Sequence, residues 1–205
     1  MNSTISSGDK PFHLMEQETI HKSGSFRIAD KLKDYMLLVK FNLSFMVVFS
    51  AVISYLLAPM VKVYDWKAIM LLFVGGMLVT GSANALNQAM EKQTDAMMKR
   101  TAGRPVAAGR MSVTEAMSFA VVCGLTGAML LWHFNFLTAL LSVISLFFYA
   151  FIYTPLKKVS SVAVLAGAIP GAMPCLIGWA AGNDSLTAGG WILFALQFFW
   201  QFPHF

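Results

Sequence analysis

Amide, carboxylate and guanidinium side chains crowd together between residues 82 and 111, in the run S-A-N-A-L-N-Q-A-M-E-K-Q-T-D-A-M-M-K-R-T-A-G-R-P-V-A-A-G-R-M. Asn87, Glu91 and Asp95 stand at i, i+4 and i+8, so on a helix they stack along one face. Asn84 and Gln88 recur at the same period. Two carboxylates one turn apart beside an amide oxygen offer hard oxygen ligands. Such ligands suit Mg2+, which keeps several waters and commonly shares the phosphates of a substrate. Lys99, Arg100, Arg104 and Arg110 come next, on a loop punctuated by Gly103, Pro105 and Gly109. Arginine matches phosphate bidentately. Lys157, far along the chain, falls at the same end of the expected helices and reaches the same mouth. A carboxylate-held metal with guanidinium beside it neutralises the charge that develops on a diphosphate as its C–O bond breaks. Taken singly, Lys92, Lys99 and Arg110 read as ordinary solvated charges, and Lys158 as an interfacial anchor.

The elements that must position these groups are membrane-spanning helices. The chain is 57% hydrophobic and 12% charged, against about 25% charged for a soluble domain. Spans of ~20 apolar residues are expected at about Tyr35–Ala58, Ala68–Met90, Val113–Trp132, Leu137–Tyr153 and Val162–Ala181, with a sixth from Gly190 onward. Pro170 and Pro174 predict a kinked or partly unwound fifth span. Of 15 Lys and Arg, 13 fall on one set of alternate sides and two, Lys62 and Lys67, on the other. The positive-inside rule makes the richer side cytoplasmic, together with the N-terminus and the acidic row. That distribution accounts for the net charge of +5 without nucleic acid. Asn84 and Asn87 lie at hydrocarbon depth and should face the bundle interior or a wet cavity.

Residues 1–25 read as a disordered cytoplasmic tail and 26–205 as one membrane-embedded domain. Asp9, Glu16, Glu18, Asp30 and Asp34 read against a mitochondrial leader. Cys123 and Cys175 sit in apolar runs and read as small buried hydrophobes. Trp66, Trp132, Trp179 and Trp191 fall near the expected membrane faces, where an aromatic belt accounts for them. From residues alone a transporter remains an alternative, with the polar row lining an ion path, although clustered arginine favours a phosphate-bearing ligand.

N-x-x-x-[DE]-x-x-x-D with R-T-x-x-R-P after it resembles the first signature of the UbiA-type prenyltransferase superfamily. The segments A-G-R-M at 108–111, Y-T-P-L-K-K at 153–158, G-A-I-P-G-A-M-P at 167–174 and F-F-W-Q-F-P-H-F at 198–205 are similar to its haem-modifying branch. The resemblance implies an all-α polytopic bundle of about nine spans, of which about six are present, with the chain incomplete at its C-terminus and a second acidic motif beyond it. It implies that Asn87, Glu91 and Asp95 are catalytic and hold Mg2+ on farnesyl diphosphate, and that Arg100, Arg104 and Lys157 bind the diphosphate. Glu91 stands where the superfamily usually has Asp. His204 matches a histidine of the branch, with haem contact or helix packing as its roles. The implied reaction moves the farnesyl group to a vinyl group of haem B, giving haem O and releasing diphosphate, in the bacterial inner membrane. Haem A synthase or haem–copper oxidase assembly would be the partners, with no nucleic acid. The alternatives are a sister enzyme acting on a quinone or chlorin ring and a non-catalytic haem-handling fragment.

Overall fold

A computed structural model describes residues 28–157, 159–160 and 162–202, so His204, Lys158 and the N-terminal tail lie outside the described residues. The described residues form α1 (Ile28–Leu38), α2 (Phe41–Leu56), α3 (Trp66–Met90), α4 (Lys92–Met97), α5 (Val113–Trp132), α6 (Phe136–Phe147), a π-helical segment (Phe148–Tyr153), α7 (Thr154–Leu156), α8 (Ala163–Asn183) and α9 (Ala188–Gln201). No strand occurs among them. Helix starts reflect local chemistry. Asp65, Ser112 and Asn135 accept from the backbone N–H of Lys67, Glu115 and Thr138 and so satisfy orphan donors at the N-termini of α3, α5 and α6.

Four helices are long and apolar enough to cross a membrane: α3, α5, the run from α6 through α7, and α8. The count rises to five if α1 and α2 form one span. The α9 helix, the expected sixth span, has 14 helical residues among those described, or about 21 Å against a ~30 Å hydrocarbon core. The α3 helix runs along α5, α2 lies against α8, and α8 also meets α6 and α9. Phe45, Met46, Phe49, Val122, Leu125, Met129, Leu196 and Phe199 are exposed on the outside of this bundle. That inversion of soluble packing suits helices solvated by lipid. Trp66, Trp132 and Trp191 are also exposed, whereas Trp179 is buried and its indole N–H donates to Thr187 Oγ1 at 3.0 Å. Trp179 is therefore a packing residue against Gly189 and Gly190 of α9, not part of a belt.

The first span is not continuous. The α1 and α2 axes meet at 50° across Val39 and Lys40, and Lys40 adopts a left-handed backbone (φ 47, ψ 58). The break frees carbonyls that hydrocarbon cannot solvate. Side chains take them instead. Gln88 Nε2 donates to Leu37 O and Leu38 O at 3.0 and 2.9 Å, and Asn84 Nδ2 donates to Val39 O at 3.2 Å. Ser44 Oγ also donates to Val39 O at 2.6 Å. In contrast, α8 does not unwind at Pro170 and Pro174. Each proline removes one intrahelical N–H, and carbonyls along α8 bond side chains of neighbouring helices: Cys175 O accepts from Ser54 Oγ (2.6 Å) and Ala168 O from Gln201 Nε2 (3.3 Å).

Two apolar clusters hold the bundle. One gathers Tyr55, Leu72, Val79, Leu131, Met173, Leu176 and Ile177 at mid-bundle. The other joins Leu38, Ala85, Ala89, Val106, Met111, Ala116 and Ala120 beneath the arginine-bearing loop. At Gly178 the α8 backbone comes so close to α2 that an added Cβ would meet the Ala51 carbonyl. Backbone cannot step aside as a side chain can. Gly178→Ala should therefore force the two helices apart and destabilise the protein by roughly 1–3 kcal/mol; thermal unfolding in detergent tests this, and an unchanged melting temperature would contradict it.

Candidate active site

The end of α3 divides its polar residues between two faces. Asn84 and Gln88 grip the α1–α2 break. Asn87 and Glu91 face α7. The helix is interrupted at Glu91 (φ −105, ψ 12). The Glu91 N–H nevertheless reaches Asn87 O at 3.0 Å and the Asp95 N–H reaches Glu91 O at 2.8 Å. The one-turn spacing expected for Asn87, Glu91 and Asp95 thus survives the interruption. All three are nearly inaccessible, at 1%, 2% and 1%.

A buried carboxylate is costly without a partner. Each has one. Lys157 Nζ, at the end of α7, lies 2.6 Å from Glu91 Oε2, and Arg104 NH1 lies 2.7 Å from Asp95 Oδ2. The cations arrive from segments 66 and nine residues away in sequence. Their placement is enforced. Val106 and Met111 plug the loop after α4 into the second apolar cluster, and Thr101 Oγ1 donates to Asp95 O at 2.9 Å. Arg110 bonds Asp34 of α1 and Gly103 O, which makes it a brace for the loop. Arg100 makes no ion pair among the described residues and lines the central cavity.

Asn87 is aimed by its neighbours. Its Nδ2 donates to Glu91 Oε2 (2.9 Å) and to Thr154 Oγ1 (3.1 Å), and Thr154 in turn donates to Tyr149 O at 2.8 Å. The Thr154 backbone N–H bonds the same Tyr149 carbonyl, the five-residue reach of the π-helical segment, a feature often found at functional sites. Sequence reasoning passed over Thr154, although it sits three residues before Lys157 on the same helical face. Tyr153 was also missed. Its ring lies 5.6 Å from Lys157 Nζ and forms part of the cavity wall.

That cavity has a volume of about 880 Å3. Val48, Leu72, Val79, Leu131 and Ile177 make its apolar wall, and Asn84, Arg100 and Tyr149 are among its polar groups. Long apolar molecules with one anionic end fit such a space. Glu91 Oε1 is buried and accepts no hydrogen bond among the described residues. With the Asn87 carbonyl and Asp95 Oδ1 it offers oxygen donors of the type Mg2+ takes, so the residues present fit that ion. Among the described residues no three His, Cys, Asp or Glu side chains converge as a metal cluster; the donor set here is two carboxylates and one amide.

The sequence pattern of the UbiA prenyltransferase family matches residues 47–205. This chain belongs to that family. Relatives include the protoheme IX farnesyltransferases of Cytophaga hutchinsonii, 44% identical over 87% of this chain and 62% of that protein, and Flavobacterium johnsoniae, 42% identical over 84% and 58%. The mitochondrial protoheme IX farnesyltransferase of Arabidopsis thaliana is 40% identical over 83% of this chain and 40% of its own length. The chain thus spans about six-tenths of the length of its bacterial relatives. Its fold is that of a digeranylgeranylglyceryl phosphate synthase (TM-score 0.73, 21% identity, 82% of this chain and 59% of that one). It is also that of an Archaeoglobus fulgidus UbiA homologue bound to DMAPP and Mg2+ (TM-score 0.71, 13% identity, 83% and 62%). Family membership and the apolar helices together make this a multi-pass integral membrane protein.

Within this UbiA-family bundle the structure brings Asn87, Glu91, Asp95, Arg104 and Lys157 to one end and sets Arg100 at the cavity. Removing one cation exposes the cost of the arrangement. Lys157→Met leaves Glu91 with only the Asn87 amide, and should lower stability by roughly 1–3 kcal/mol in chelator-treated protein. An unaltered melting temperature in EDTA would show that the pair does not form.

Proposed function

We propose that the protein acts in farnesyl transfer to haem B, forming haem O with release of diphosphate. The observation that carries this reading is the buried pair Glu91 and Asp95, each held by a cation, beside an apolar cavity that Arg100 helps to line. The names of the relatives supply the acceptor. The chain carries the acidic row Asn87, Glu91 and Asp95 and spans about six-tenths of the length of its bacterial relatives.

Asn87, Glu91 and Asp95 would hold Mg2+, which when bound supplies charge neutralisation at the diphosphate. Arg100, Arg104 and Lys157 bind the diphosphate oxygens. In the absence of ligand, Arg104 and Lys157 serve as counterions to the carboxylates. A diphosphate would draw Arg104 and Lys157 to its oxygens, and Glu91 and Asp95, relieved of those cations, would be the residues to hold the metal. The C1–O bond of farnesyl diphosphate then breaks, and the electron pair leaves with the diphosphate. The allylic cation is captured by a haem vinyl group. Water adds to the resulting carbocation and loses a proton, which completes the hydroxyfarnesyl substituent. The apolar wall of the cavity, with Leu72, Leu131 and Ile177, keeps water from the allylic cation until the vinyl group reacts. Haem contact by His204, the bacterial inner membrane as location, a cytoplasmic acidic motif, and delivery to haem A synthase or a haem–copper oxidase belong to the same reading.

Membranes carrying the chain, supplied with haem B, farnesyl diphosphate and Mg2+, test it by mass spectrometry. Hydroxyfarnesyl haem is expected, and Asp95→Asn should reduce it by roughly a hundred-fold or more, in line with loss of a charge-stabilising group. Undiminished product in Asp95→Asn would remove Asp95 from the site.

A further inference from the structure

The charges at the site end do not balance. Glu91 and Asp95 are matched one to one by Lys157 and Arg104. Arg100 stands at the cavity. A further cation, Lys40, is half-buried at the α1–α2 break, and its ammonium makes no hydrogen bond or ion pair among the described residues. Lys40 follows Val39, whose carbonyl accepts from Asn84, and Asn84 lines the same cavity as Arg100, so the break abuts that cavity. Beyond the two paired cations, Arg100 at the cavity and Lys40 at the break beside it have no carboxylate partner among the described residues, an excess that calls for an anion.

The backbone supports the same conclusion. Lys40 has φ 47, in a region where glycine or asparagine is at ease and lysine seldom occurs. Such strain persists where the surroundings over-determine it, and it gathers at ligand-binding positions. Here the surroundings are specific: Asn84, Gln88 and Ser44 hold the carbonyls of Leu37, Leu38 and Val39. Three polar side chains are thus committed to a break whose residue is a lysine with no partner among the described residues. A break that served packing alone would need no cation there.

We infer that Lys40 is a further diphosphate-binding cation, held at the site from the α1–α2 break. The inference rests on the reading that this site takes a prenyl diphosphate. A carboxylate of the acceptor is the other oxyanion that an ammonium here would suit, and binding measurements separate the two.

The test uses the purified chain in detergent, titrated calorimetrically with inorganic diphosphate in Mg2+ and, separately, with haem B monitored by its Soret absorbance. Lys40→Asn removes the cation while suiting the left-handed backbone; Lys40→Arg keeps the charge. Diphosphate affinity should fall roughly ten-fold or more in Lys40→Asn, the size of one charge-assisted hydrogen bond, and return close to wild type in Lys40→Arg, with haem B affinity unchanged. Wild-type diphosphate affinity in Lys40→Asn would overturn the inference, as would a loss confined to haem B, which would give the cation to the acceptor. A loss that Lys40→Arg fails to restore would make Lys40 a structural residue. A wild-type chain that binds no diphosphate, or a Lys157→Met variant that binds it as well as wild type, would overturn the donor-site reading and this inference together.

Discussion

Two carboxylates buried at 1–2% exposure set the terms for the rest of the molecule. An unmatched charge there would cost several kcal/mol, so the fold must deliver a cation to each. Arg104 comes on a loop that the Val106 and Met111 side chains pin from below. Lys157 comes at the end of α7, after a π-helical segment that sets Thr154 against Asn87. Both cations are more exposed than the acids they serve: Arg104 is 21% and Lys157 33% exposed at the side chain, against 2% for each acid. The acids are buried and the cations are the accessible members of each pair. On the proposed function, ligand binding would be a change of partners between groups already in place.

The same helix end does two tasks. One face of α3 builds the site with Asn87 and Glu91, while Asn84 and Gln88 on another face close off the carbonyls left by the α1–α2 break. In hydrocarbon a broken helix needs such partners. The break and the site therefore depend on one short segment, 84–91. A polar pattern that looks redundant along the helix is divided between backbone satisfaction and the candidate site.

Much of this was legible in the sequence. The fourfold period of Asn87, Glu91 and Asp95 marked the candidate site, and apolar length located α3, α5, the run from α6 through α7, and α8 to within a few residues. The break in the first span was hidden because neither glycine nor proline marks it; Lys40 carries a left-handed backbone that its residue type disfavours. In α8, where Pro170 and Pro174 predicted a kink or partial unwinding, the helix runs unbroken from Ala163 to Asn183, packed against α2, α6 and α9, so the unwinding does not occur. Apolar spacing cannot reveal a π-helical segment, which preserves the composition of a span while rotating the residues C-terminal to it. That rotation brings Thr154 and Lys157 to α3. Trp179 shows the limit of reading depth from composition, since a tryptophan near a membrane face can be buried as readily as exposed.

The central proposal is that Glu91 and Asp95 would hold a metal ion once diphosphate draws Arg104 and Lys157 away. Electron paramagnetic resonance of Mn2+, standing in for Mg2+, reads this directly. The purified chain with inorganic diphosphate should show an immobilised Mn2+ signal that disappears in both Glu91→Gln and Asp95→Asn while both variants stay folded. An identical signal in the two variants, or Mn2+ that remains free in the wild-type chain with diphosphate present, would contradict the account.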